Sequence, residues 1–188
     1  GEKMSVAVAE HLLTADEYFG LPDDGRHKEL VRGRVVEMNM PGFEHGEICV
    51  TIASILRAFV SERGLGRVVG NDSGILTERD PDTVRGADVS YYSYARVPRG
   101  RRPKGYPGVS PELVIEVLSP TDTWARILRK VSEYLEAGVV VVCVVIPNQS
   151  KVFVYRSDSP AEELADQDEF TLPDLLPDFR VPVGRFFE

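Results

Sequence analysis

The run Glu112-Leu113-Val114-Ile115-Glu116-Val117-Leu118-Ser119-Pro120 sets a carboxylate inside a stretch that is otherwise apolar. Side chains alternate along a strand, so Leu113, Ile115 and Val117 share one face while Val114, Glu116 and Leu118 share the other. A strand apolar on both faces belongs inside a covered sheet, where an unpaired carboxylate is strongly disfavoured. An Arg or Lys partner, a water-filled sheet edge or a metal ion would each compensate Glu116, and the residue alone does not choose among them. Other side chains able to do chemistry read quietly from position alone. Asp88 is a turn residue at the start of a strand, Glu29 an exposed strand end, and His45 a capping or surface residue in the first turn of a helix. Lys130 lies on a helix beside an apolar stripe, where its stem can follow the stripe and its ammonium reach toward the end of the sheet. From Arg96 to Gly105 the chain carries five cations and no acid, in a Pro- and Gly-rich loop that is either solvated or a phosphate contact.

The elements that must hold these groups follow from periodicity and turn chemistry. Residues 11–19 predict a short helix capped by Thr14, with Glu17 completing a capping box. Residues 28–38 predict a hairpin about Gly33, and the spacing of Ile48, Ile52, Ile55, Leu56, Phe59 and Val60 predicts a long core helix over 44–63, stopped by Gly64. Three short strands, at 67–69, 74–77 and 87–92, read as an antiparallel meander. After the Glu116 strand a helix starts at Thr121 or Asp122 and runs to about Ala137, with Ile127, Val131, Tyr134 and Leu135 as its apolar stripe. Gly138 closes it, and the β-branched run 139–146 forms a central strand, so strand, helix and strand make a parallel crossover. A last strand over 151–156 ends the sheet, and the acidic tail brings Leu172, Leu175, Leu176, Phe186 and Phe187 to pack across the domain or between subunits.

At 188 residues the chain fits a single domain, 1–188, with 1–10 a flexible N-terminus and the residues before Met4 an expression remnant. Cys49 and Cys143 lie in apolar runs, which suits buried thiols in the cytoplasm better than a disulfide. No apolar run is long enough for a membrane span, and no signal-peptide, Walker or dinucleotide pattern occurs, so neither a membrane nor a nucleotide cofactor is expected. A net charge of -8 excludes a protein that binds nucleic acid merely by being basic.

The order of elements, with 27 residues between Asp88 and Glu116 and a lysine soon after, resembles the PD-(D/E)XK nuclease superfamily, whose core brings an Asp and a Glu from neighbouring strands to one Mg²⁺. More closely, the chain resembles the bacterial restriction-endonuclease-like family formerly described as a domain of unknown function. The resemblance rests on an ordered set of short motifs: Thr14-Ala15-Asp16-Glu17-Tyr18, Lys28-Glu29-Leu30-Val31-Arg32-Gly33, Glu44-His45-Gly46, Ala87-Asp88-Val89-Ser90, Glu112 to Pro120, and Lys130 with Tyr134-Leu135-Glu136-Ala137-Gly138-Val139. It implies an α/β, restriction-endonuclease-like core with a central mixed sheet flanked by helices. It also implies a metal-dependent endonuclease cutting DNA as a homodimer. Asp88 and Glu116 would hold Mg²⁺, for which Mn²⁺ can substitute, Lys130 would be the family's lysine displaced to a helix, and Glu29 its N-terminal acid. Hard oxygen ligands suit such an ion. Arg99, Arg101, Arg102 and Lys104 would then contact DNA phosphates. Departures from the family pattern are Ala87 in place of the Pro before the first acid, Leu118 at the usual lysine position, and Arg126 in place of an acid before Lys130. Cys143 and Ile146 replace the usual aromatic and acidic residues of the last core strand. With the acidic net charge, these departures support an alternative: a catalytically silent nucleic-acid or protein-binding module on the same fold.

Overall fold

Local rules decide most element boundaries in the computed structural model, which describes residues 11–188; the segment expected to be flexible, 1–10, lies outside the described residues. Thr14 caps α1 (Ala15–Phe19), and its hydroxyl and backbone N–H exchange hydrogen bonds with Glu17 as a capping box. The hairpin follows as β1 (Lys28–Val31) and β2 (Arg34–Glu37), turning through Arg32 and Gly33, both at positive φ. Helix α2 (Phe43–Arg63) ends at Gly64, whose left-handed φ of 61° lets its N–H cap the last carbonyls.

Two of the expected strands are one. β3 (Gly66–Glu78) runs unbroken past the Asn71-Asp72 turn signal because the chain absorbs it as a bulge between Gly70 and Ser73, with both residues in the left-handed region. β4 (Thr83–Ser93) starts four residues earlier than its pattern suggested, so Asp88 lies within the strand and not at its start. β5 (Leu113–Val117) carries Glu116. Helix α3 (Trp124–Glu136) is capped by Thr123 and not by Thr121 or Asp122, because the Asp122 carboxylate is already taken up by the Ser119 N–H and hydroxyl.

Next come β6 (Val141–Ile146) and β7 (Lys151–Arg156). The sheet does not end there: the polar segment Ser159–Leu164 forms β8, an exposed edge strand rich in charge. The last strands, β9 (Glu169–Leu172) and β10 (Leu176–Pro182), form a separate two-stranded sheet.

The main sheet has eight strands in the order β2-β1-β4-β5-β6-β7-β8, with β3 paired to β4 beside that path. Only β5 and β6, joined through α3, are parallel; the other pairs are antiparallel. β5 buries both faces as its composition requires. Leu113, Ile115 and Val117 pack with Ile48, Ile52, Leu56 and Val60 of α2, together with Phe170, Leu172, Leu176, Phe179 and Phe186 from the tail. Val114 packs on the opposite side against Ile127, Val131 and Tyr134 of α3. Each fully buried aliphatic or aromatic side chain here stabilises the fold by roughly 1.5–3 kcal/mol. Among the described residues no helix is long and apolar enough to cross a membrane.

Candidate active site

Glu116 shares the α3 side of β5 with Val114, and α3 turns its buried residues Ile127, Lys130, Val131 and Tyr134 toward that side by helical spacing. The carboxylate therefore meets two polar groups instead of an apolar helix. The Lys130 ammonium lies 2.9 Å from Glu116 Oε1, and the Tyr134 hydroxyl donates to the same oxygen at 2.6 Å. Burial, with the charge of Asp88 adding to it, outweighs Lys130 and holds the Glu116 carboxyl up at about 7. Among the described residues Oε2 has no hydrogen-bond partner.

Lys130 binds more than Glu116. Its ammonium donates to Gly86 O at 3.1 Å and lies 3.2 Å from Glu29 Oε1. Burial alone would lower the lysine pKa, but Glu116 and Glu29 raise it, so the side chain keeps its proton. Glu29 is the clearest correction to the positional reading: it is 3% exposed, not a solvated strand end. Its carboxylate accepts from Arg85 Nη1 at 2.9 Å and from the Gly86 N–H at 3.1 Å. Burial pushes the Glu29 carboxyl up, yet Lys130 and Arg85 overcome this and hold it below its ordinary value. The second arm of Arg85 grips Glu133 of α3 with two bonds, at 2.5 and 2.8 Å. β1, β4, β5 and α3 are thus tied by one chain of alternating charge.

Asp88 arrives from β4. The β4–β5 register pairs Val89 with Ile115, and one step beyond that pair lie Asp88 and Glu116. Asp88 Oδ2 accepts from the Val117 N–H at 2.6 Å and lies 3.3 Å from His45 Nε2. That contact, more than any other, raises His45 to about 11, so the imidazole is a cation bound to Asp88 rather than a cap or a surface residue. His45 Nδ1 faces Cys49 Sγ at 3.6 Å. The bulge in β3 delivers a further acid: Asp72 is raised by burial and by the neighbouring Asp88. Sequence reasoning missed His45, Asp72, Tyr134 and Arg85 as members of the site. His45 stood in a motif already picked out, whereas Asp72 looked like one more turn residue.

A cavity of about 310 Å³ opens over this arrangement and is lined by Glu29, Asp72, Asp88, Glu116 and Lys130, together with His45. The donor set suits a hard divalent ion. Asp88 and Glu116 face the same cavity, Glu116 has an oxygen to spare, and the crowding of Asp72 against Asp88 is a like-charge contact that a cation would relieve. A softer set also lies nearby, since ligand atoms of His45, Cys49 and Asp88 fall within 4.8 Å of one another. The imidazole stands between the other two, one nitrogen toward each, so a single ion cannot take both of its contacts.

The structure brings Asp88, Glu116, Lys130 and Glu29 together but keeps the basic loop apart. Arg99 donates to Gly64 O at 2.9 Å and lies 4.2 Å from the Tyr94 ring centre. Arg101, Arg102 and Lys104 line a different cleft.

A family model, Uma2, described as "Putative restriction endonuclease", matches residues 15–184. The fold is similar to that in the crystal structure of a "putative nuclease belonging to DUF820" from Anabaena variabilis, with a TM-score of 0.79 and 21% identity, covering 93% of this chain and 97% of that one. No curated protein matches the chain.

Proposed function

This chain belongs to the Uma2 family of putative restriction endonucleases, and from that premise we propose that it is a metal-dependent endonuclease hydrolysing phosphodiester bonds in DNA. The observation that carries the reading is the opposition of Asp88 and Glu116 on β4 and β5 over one cavity, with Lys130 buried against Glu116. In this reading Asp88 and Glu116 would hold Mg²⁺, or Mn²⁺ in its place. When bound, the ion would supply Lewis-acid chemistry, drawing charge from phosphoryl oxygens and making a water more acidic.

The other groups act through charge and position. Lys130 keeps its proton, so it serves as a fixed positive charge for developing phosphoryl negative charge and not as a general base. Glu29 is a positioning residue: it holds Lys130 from behind and is itself fixed by Arg85. Tyr134 fixes one oxygen of Glu116, and the charged His45 fixes one oxygen of Asp88, so each carboxylate is oriented before any ligand arrives.

The test is cleavage of DNA in Mg²⁺ by the wild-type protein and by Glu116→Gln, which keeps the size and one acceptor of the side chain. The expected result is loss of about a hundredfold or more in rate, the scale of removing one principal electrostatic group; an unchanged rate would end the proposal. Leu118 in place of the usual lysine favours the rival reading of a silent binding module. Salt-sensitive DNA binding with no cleavage under any divalent ion would put that reading in its place. The two free cysteines, Cys49 and Cys143, support the cytoplasmic location, and sedimentation of the purified chain tests the expected homodimer.

A further inference from the structure

Away from the acidic site, a cleft of about 710 Å³ is lined by α2, β3 and the loop after β4. Five cations line it and no acid does: Arg67 of β3, whose guanidinium is bonded to the carbonyls of Val97, Pro98 and Arg99, and Arg57 from α2 with Arg101, Arg102 and Lys104 from the loop. The last four are exposed, and none of them has a side-chain hydrogen bond or ion pair among the described residues. Outside the cleft, Arg129 is the one other described Lys or Arg without a partner. In a protein of net charge -8, such a concentration of unmatched positive charge is a local feature that the bulk composition opposes.

The cleft also carries aromatic surface. Tyr106 packs against Gly74 of β3, so close that a Cβ at Gly74 would come within 2.3 Å of the ring. Phe19 of α1 stands edge-on to Tyr106, ring centres 5.4 Å apart, and remains 53% exposed. These two rings also line a smaller cavity together with His27 and Asp72, and His27 and Asp72 belong in turn to the wall of the acidic site. The cleft, the smaller cavity and the acidic site thus adjoin one another through shared residues, and the smaller cavity between them carries Asp23 and Asp24 beside Arg26 and Lys28.

We propose that this cleft is a binding track for single-stranded nucleic acid, feeding one strand across Phe19 and Tyr106 into the acidic site. The proposal rests on the nuclease reading and adds the substrate class to it. Unmatched cations suit a phosphate backbone, and an exposed ring beside them suits an unstacked base, whose π-face is free only in a single strand. A duplex keeps its bases stacked inside two phosphate backbones, so it would leave the rings without a partner and bring twice the charge against an acidic protein.

The test is fluorescence anisotropy of a labelled oligothymidylate with the full chain in chelator, where no cutting occurs, followed by competition with unlabelled single strands and duplexes of equal length. The expected result is a clear preference for the single strand. Arg101→Ala with Arg102→Ala and Lys104→Ala should weaken binding about tenfold or more and flatten the dependence of log affinity on log salt by about 2. Phe19→Ala should weaken it about fivefold or more while leaving the salt slope unchanged. Equal or better competition by duplex, or unaltered binding in the triple variant, would overturn the proposal. Addition of Mg²⁺ separates the two readings. Tight single-strand binding without cleavage would sink the nuclease and spare the track; cleavage with no preference for single strands would sink the track and spare the nuclease.

Discussion

The protein uses the same residue types in two opposite ways. Beneath the acidic cavity, Arg85 and Lys130 are buried and matched by Glu29, Glu116 and Glu133, with every link between 2.5 and 3.2 Å. In the cleft, Arg57, Arg101, Arg102 and Lys104 are exposed and matched by nothing among the described residues. Buried charge must be paired at folding, so it shapes the protein; exposed charge can wait for a ligand. The difference separates groups that position the site from groups available for binding.

Glu29→Gln attacks the first region most directly. It leaves Arg85 and Lys130 short of a buried carboxylate and should cost about 3–5 kcal/mol in urea unfolding at neutral pH; a loss below 1 kcal/mol would mean that the network is solvated. The pH dependence sharpens this. The folded-state pKa of Glu29 lies below its ordinary value of 4.5, so its contribution is present above that value and disappears as pH falls through the folded pKa. The gap between wild type and Glu29→Gln should therefore be constant near neutrality and close in acid, as read from urea midpoints at successive pH values.

Arg99 lies between the two classes, exposed in the loop yet bonded to Gly64 O. Arg99→Ala should cost about 1 kcal/mol of stability, the scale of one such hydrogen bond. Smallest of all should be the stability change for Arg101→Ala, Arg102→Ala or Lys104→Ala, each within about 0.5 kcal/mol in thermal melts. A large loss from any of these would show that the cleft cations are structural and erase the contrast.

The fold was legible wherever one short-range rule acted alone. The Thr14 capping box, the Gly64 stop and the two-faced apolar strand around Glu116 each follow from a local pattern, and the parallel crossover follows from their order. β3 was misread as two strands because a bulge and a turn use the same residues, Asn71 and Asp72; only pairing with β4 distinguishes them. β8 was missed because an edge strand needs no apolar face. In the site, Glu116 could be singled out because its own strand is apolar. Position alone singled out none of Glu29, His45 and Asp72, and Glu29 was named only through the family resemblance, since what makes each unusual is a partner distant in sequence: Arg85 and Lys130 for Glu29, and Asp88 for the other two. The basic loop was visible as a charge run, but the tie of Arg99 to Gly64 and the cleft formed with Arg57 depend on tertiary packing.

The central claim is that Asp88 and Glu116 form a divalent-ion site, and anomalous diffraction from crystals soaked in Mn²⁺ tests it without knowledge of the substrate. The account predicts a peak shared by the two carboxylates at roughly 2.0–2.3 Å from each. A peak held by His45 and Cys49 instead, or no peak with Glu116 still bound only by Lys130 and Tyr134, would contradict it.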